Sequence, residues 1–304
     1  MLYFNVLACV KGLKGSVLTN SSSGIQHAWH FWYALILVLK CHAVTLVLRA
    51  SPLNWALGNT RKMMSYPNGA EWSALKSIVI SNQGDQIELS TISCGKLNLP
   101  SGKLVTCDPF AGMTKSGNSF VQVPPGEYEV IVTLADVSSN LDGTHIREAY
   151  ASLIIDKTKI ESSRKFLEPT KNGEPTNQIL QAGEFWGYGV DAGTACFADA
   201  DAIEATMPEE GSWYEGLFDN GRDDCWFNQM DSKTLIRKGL ANIQLPNSDK
   251  NLILFHSGWG DGFYPVIGGY DSNNNLVAVH TDFFVVDISE NEVESASKPW
   301  WRFW

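Results

Sequence analysis

The sequence predicts a mainly β protein, an antiparallel β-sandwich-like domain with a small helical insertion. Short runs of apolar–polar alternation recur along it, with Gly, Pro, Asn and Asp clustered between them. Helical spacing is confined to about residues 199–239.

The first 62 residues carry six basic residues and no Asp or Glu. They read as an extension outside the core. Within it, 31–48 (FWYALILVLKCHAVTLVL) would reach about 27 Å as a helix, near the ~30 Å hydrocarbon core of a bilayer. Lys40 near its centre costs about 3 kcal/mol there. Three readings follow: an extraneous upstream segment, which is preferred, a weak membrane anchor, or an acid-poor targeting peptide. Membrane contact is expected only through 31–48, and the expected location is cytoplasmic, with anchoring through that run as the alternative.

The body is read as a single β-rich domain over 63–288, beginning where Met63 and Met64 mark the change in composition. It holds all 33 acidic residues and 17 of the 23 Lys and Arg, within a chain of net charge −10. Such an acidic body excludes nonspecific nucleic-acid binding, which needs Lys and Arg to displace counterions. A protein partner fits better.

Cys94 and Cys107 flank the turn Leu99-Pro100-Ser101-Gly102. A tight hairpin there would put Cys94 opposite Asp108, and Leu97, Leu99, Val105 and Cys107 on one face. The thiols then stay reduced, and none of the six cysteines has the CxxC spacing of a structural zinc site. Residues 127–137 (EYEVIVTLADV) and 147–156 (REAYASLIID) read as partner strands, and 162–177 as a long polar loop. Two helical runs, 199–216 and 225–238, form the insertion. Three strand-like runs follow at 251–257, 263–270 and 276–286, with the turn residues at 270–275 joining the last two as a hairpin. Residues 289–304 are a polar linker ending in the aromatic tail PWWRFW, which is read as a contact segment or a frayed end.

LPSGKLVTCDP (99–109), GVDAGTACFADAD (189–201) and SGWGDGFYPVIGGYD (257–271) together resemble a bacterial family known only as a domain of unknown function. The resemblance implies a common fold and assigns no catalytic residue.

Chemistry is sought in three places. Asp271-x-Asn273-x-Asn275 opens like a calcium loop, but Leu276 stands where that loop needs Gly. Asp199 or Asp201 suits a helix cap, while Asp191 lies between Gly189 and Gly193, which permit close backbone approach. If strands 251–257 and 276–286 share a sheet, His256, Asp261, His280 and Asp282 converge. Side-chain alternation places His280 and Asp282 on one face, roughly 6.5–7 Å apart. The candidate pocket is therefore Asp191, His256, Trp259, Asp261, Tyr264, His280 and Asp282, with Trp259 and Tyr264 as flat walls. A His–carboxylate pair can hold a base or a metal ligand, but a buried structural pair is the favoured reading. There is no nucleophile elbow, phosphate loop, dinucleotide fingerprint or HExxH, and no cofactor or metal is assigned. The function expected is a binding or protein-interaction module. The alternative is a hydrolase or metal-assisted enzyme using the His/Asp pocket near SGWGDG.

Overall fold

The computed structural model describes residues 72–286, apart from 83, 172–173, 176–179, 181–183 and 234. The expectations for 1–62 and 289–304 lie outside the described residues. In chain order the strands are β1 (Val79–Asn82), β2 (Asp85–Leu99), β3 (Lys103–Cys107), β4 (Ser119–Gln122), β5 (Gly126–Asp136), β6 (Ile146–Ile154), β7 (Ser163–Phe166), β8 (Thr170–Lys171), β9 (Glu174–Pro175), β10 (Gly187–Val190) and β11 (Thr194–Asp199). Helices α1 (Ala200–Thr206) and α2 (Trp226–Met230) follow, then β12 (Ala241–Gln244), β13 (Asn251–His256), β14 (Gly262–Tyr270) and β15 (Leu276–Asp282). The fold is mainly antiparallel β, as the alternation predicts.

Among the described residues two sheets form. Sheet 1 runs β1-β2-β5-β6-β15-β14-β10, with β7 also on β14; sheet 2 runs β12-β13-β11-β3-β4-β8-β9. One face of each supplies the core between them. Leu97, Leu99, Val130, Val132, Leu153 and Val279 of sheet 1 pack in one cluster with Leu104, Ala195, Phe197, Ile253 and Phe255 of sheet 2. Alternation turns Val105, Cys196, Ala198, Leu252, Leu254 and Ile243 to the other face of sheet 2. There they meet Ile203, Met207, Trp213, Phe218, Trp226 and Met230 from the helical segment. A strand buried on both faces explains why β11 (TACFAD) is apolar in nearly every position.

Two expected strand pairs are present. β5 and β6 run antiparallel from Glu129↔Ile154 to Asp136↔Ile146. β14 and β15 form the hairpin, with Val266 opposite Thr281 and Ile267 opposite His280. At its tip Asp271 Oδ1 accepts from the N–H groups of Asn273 and Asn275, both at 2.8 Å. That acidic side chain is a turn former, as Asp commonly is.

Other expectations fail. The LPSG turn is a corner between sheets, because β2 pairs with β5 whereas β3 pairs with β11 and β4. Ser101 is captured there by Asp199, whose Oδ2 accepts from its N–H at 3.0 Å and its Oγ at 2.7 Å. Leu97 and Leu99 therefore enter the inter-sheet core, while Val105 faces the helices. Residues 162–177 are not one loop, since they contain β7, β8 and β9. The second helical run stops at Met230, far short of Lys238. Strands 251–257 and 276–286 do not share a sheet, as β13 belongs to sheet 2 and β15 to sheet 1.

Candidate functional site

The seven candidate residues divide among four places. His280 sits in mid-sheet, fully buried. Its carboxylate partner is Glu161 rather than Asp282. Nε2 lies 2.8 Å from Glu161 Oε2, and Nδ1 lies 2.8 Å from Ser152 Oγ on the adjoining strand. Two residues along a strand stand too far apart for a hydrogen bond. Glu161 instead arrives from the β6–β7 connection, over Gly269, where any Cβ would collide with its carboxylate. Its Oε1 pairs with Arg164 Nε, and the Arg164 guanidinium lies 4.7 Å from the centroid of Trp72. Trp72 closes the group, its ring 5.5 Å from His280 and 4.9 Å from Tyr150. Burial works against the Glu161 charge, yet the hydrogen bond and field of His280, with Arg164, hold its carboxyl below the usual range. Asp282 is buried separately and accepts from the N–H of Phe284 at 2.8 Å.

Ser152, His280 and Glu161 thus form a hydrogen-bonded chain in the order of a hydrolase triad. The surroundings are wrong for acyl transfer. Ser152 is fully buried in the middle of β6, paired with Ile131 on one side and His280 on the other. An acyl-transfer serine needs solvent access and N–H donors aimed at a developing oxyanion. An activated phosphonate that labels nucleophilic serines should therefore leave Ser152 unmodified in the folded protein. Stoichiometric labelling at Ser152, mapped by mass spectrometry, would reinstate a nucleophile.

Asp191, Trp259, Asp261 and Tyr264 do gather, around the loop between β13 and β14. Buried Asp108 holds the neighbouring turn between β10 and β11, which carries Asp191. One carboxylate oxygen accepts from the N–H groups of Asp191 (2.9 Å) and Ala192 (2.6 Å), the other from Phe110 (2.8 Å) and Ala111 (3.2 Å). Tyr264 donates its hydroxyl beneath the loop to Gly260 O at 2.8 Å or Ser257 O at 3.0 Å. Asp191 and Asp261 reach solvent. Burial first, then the charges of Asp191 and Asp108, push the Asp261 carboxyl up. Trp259 is 40% exposed, and Arg147 lies 5.2 Å over its ring. His256 points away, to the outer face of sheet 2, where its ring occupies the space a Cβ on Gly239 would need.

A third feature was not foreseen. Between α2 and edge strand β12 lies a cleft of about 500 Å³, lined by Asp223, Asn228, Gln229, Asp231, Leu235 and Asn242 among others. Its carboxamide nitrogens are engaged by main-chain carbonyls. Asn228 Nδ2 donates to Arg222 O and Gln229 Nε2 to Asp224 O, each at 2.7 Å. Asn242 Nδ2 donates to Lys96 O at 3.3 Å, while its Oδ1 accepts from Asn251 at 2.7 Å. Asp231 Oδ1 accepts from Lys238 Nζ at 2.7 Å. The acceptors in the lining that no bond above uses are Asn228 Oδ1, Gln229 Oε1, the Asp223 carboxylate and Asp231 Oδ2, beside the second N–H of each carboxamide and the Ser232 hydroxyl. The sequence signal was the run 219–231, DNGRDDCWFNQMD, with four Asp and two Asn, which reads as nothing more than a solvated helix flank.

Among the described residues, no group of three or more His, Cys, Asp or Glu is arranged to hold a metal ion. Nor is any helix long and apolar enough to cross a membrane.

A family model described as "Protein of unknown function (DUF4241)" matches residues 97–281, more than half of the chain. The chain belongs to this family. No curated protein and no solved structure matches it. The DUF4241 match contains all three stretches that carried the resemblance. It takes in Ser152, Glu161, His280, the Asp108 hub and the cleft, but neither Trp72 nor Asp282.

Proposed function

We propose that this DUF4241 protein is a binding module whose cleft between α2 and β12 receives a Lys or Arg side chain of a protein partner. The observation that carries the reading is the acidic, carboxamide-rich lining of the cleft, with Asp223 and Asp231 beside Asn228 and Gln229. An ammonium offers three donors and a guanidinium five, and neither offers an acceptor. Bonds from such cations to carboxylates are roughly twice as strong as neutral ones. Leu235 and Ala241 give the aliphatic stem of such a side chain an apolar surface. A net charge of −10 speeds the approach of a cationic partner. The rim residues Asp191, Asp261 and Trp259 supply a second exposed acidic and aromatic surface for the same partner. Four free thiols, Cys94, Cys107, Cys196 and Cys225, support a cytoplasmic setting.

Calorimetric titration with a short peptide rich in Lys and Arg tests the reading. Wild type should bind, more tightly as salt falls, and a Gln-substituted peptide should not. The pair Asp223→Asn and Asp231→Asn should weaken binding at least tenfold, about 1.4 kcal/mol. Unchanged affinity in that double variant would refute the cleft as the site.

A further inference from the structure

β3 and β11 lie side by side, with Cys107 directly opposite Cys196 in register. Directly opposed residues on antiparallel strands have Cα atoms about 4.5 or 5.5 Å apart. Both separations fall within the range of about 4.4–6.8 Å that disulfides span. The two sulfurs are 3.6 Å apart, so closing the bond needs side-chain rotation more than backbone movement. The other described thiols are placed elsewhere, Cys94 in sheet 1 and Cys225 just before α2. Cys107 packs against the helical cluster but is the less buried of the two residues, Cys196 being fully buried, so it is the side nearer to solvent.

We infer that Cys107 and Cys196 form a reversible disulfide site, oxidised by a hydroperoxide through attack by Cys107 and resolution by Cys196. The Cys107 thiolate attacks the terminal peroxide oxygen and the O–O bond breaks. This gives a sulfenic acid and an alkoxide, which takes up the proton that Cys107 released. Cys196 Sγ then attacks the Cys107 sulfur. The S–S bond forms, the S–O bond breaks, and the departing hydroxide takes the Cys196 proton to become water. Two thiols and one hydroperoxide yield one disulfide, one alcohol and one water, the two electrons passing to the peroxide oxygens.

The setting also fixes the rate behaviour. The hydrogen bond it shares with Cys196, burial, and the neighbouring Asp108 carboxylate push the Cys107 thiol up, so thiolate is scarce at neutral pH. Oxidation is slow there and accelerates into the alkaline range. Cys107 immediately precedes Asp108, whose carboxylate holds the N–H groups of Asp191 and Ala192. A bridge would pin β3 to β11 directly beneath that rim loop.

The experiment is hydrogen peroxide treatment of the full chain, followed by nonreducing peptide mapping, with circular dichroism to confirm that the fold persists. The expected product joins the Cys107 and Cys196 peptides, has lost two hydrogens, and reverts with dithiothreitol. Its rate should rise with pH. Cys196→Ser should accumulate a dimedone-reactive sulfenic acid at Cys107. Cys107→Ser should show neither a bridge nor a sulfenic acid at Cys196, and Cys94→Ser should behave as wild type. A bridge from either residue to any other cysteine would overturn the inference, as would conversion of Cys107 to sulfonic acid without bridging in the folded wild type. Peptide binding by the cleft is read separately, so failure of either result leaves the other standing.

Discussion

Replacing Glu161 with alanine is expected to lower the unfolding free energy by about 3–5 kcal/mol, the cost of removing one partner from a buried ion pair. Glu161 is the shared acceptor for His280 Nε2 and Arg164 Nε. His280 is fully buried, and the Arg164 side chain is only 8% exposed, so water cannot replace what the carboxylate supplied. Burial already pulls the Arg164 pKa down, with Glu161 as the chief opposing influence. Glu161→Gln keeps a hydrogen-bond acceptor and the shape, and should cost less. The pH dependence follows from the sign of the shift. The Glu161 pKa is depressed in the folded protein, so its contribution is present above the unfolded value of about 4.3 and is lost as pH falls through the folded value. Wild type should therefore lose stability on acidification below about pH 4, and Glu161→Ala should lose correspondingly less. Denaturant unfolding at neutral and acid pH measures both effects. A neutral-pH loss under about 1 kcal/mol would mean that the cluster is not a buried ion pair in solution.

Arg237→Ala should be nearly as damaging, about 3 kcal/mol or more, for the mirror-image reason. Here the stranded group is an acid. Glu148 on β6 is 2% exposed, and its Oε1 accepts from Arg237 Nε at 2.8 Å. A second guanidinium nitrogen donates to Ile146 O at 2.9 Å. Arg237 lies beyond α2, so these bonds tie the segment after the helices to an inner strand of sheet 1. Alanine would leave a carboxylate inside the protein without its cation. Glu148→Gln combined with Arg237→Met removes both charges while keeping volume, and should recover most of the loss. Strict additivity of the two single effects in a double-mutant cycle would show that the pair is not coupled.

What the sequence revealed was local, and what it concealed was long-range. The β14–β15 hairpin was legible because Asp271 and its three following Asn residues make their own turn between alternating runs. β5 and β6 were legible from the same alternation. β7 was not, because SRKF carries two cations and no stripe; its Arg164 is buried only because Glu161 reaches back to it. Sheet membership was hidden because β13 and β15 look alike in composition, and both are buried. The predicted His280–Asp282 pair was right in kind and wrong in partner, since Glu161 is 119 residues from His280 in sequence. The cleft was invisible because its character depends on where carboxamide nitrogens go. Asn242 reaches β2 across 146 residues to Lys96, a pairing that no spacing rule encodes.

These observations set a sealed structural cluster around His280 apart from an acidic cleft open to solvent. Amide chemical-shift mapping with a peptide rich in Lys and Arg tests that division most directly. The account predicts shifts concentrated at 223–232 and at Ala241 and Asn242, with Ser152, Glu161 and His280 unmoved. Shifts centred on Ser152 and His280, or none at the cleft at saturating peptide, would contradict it.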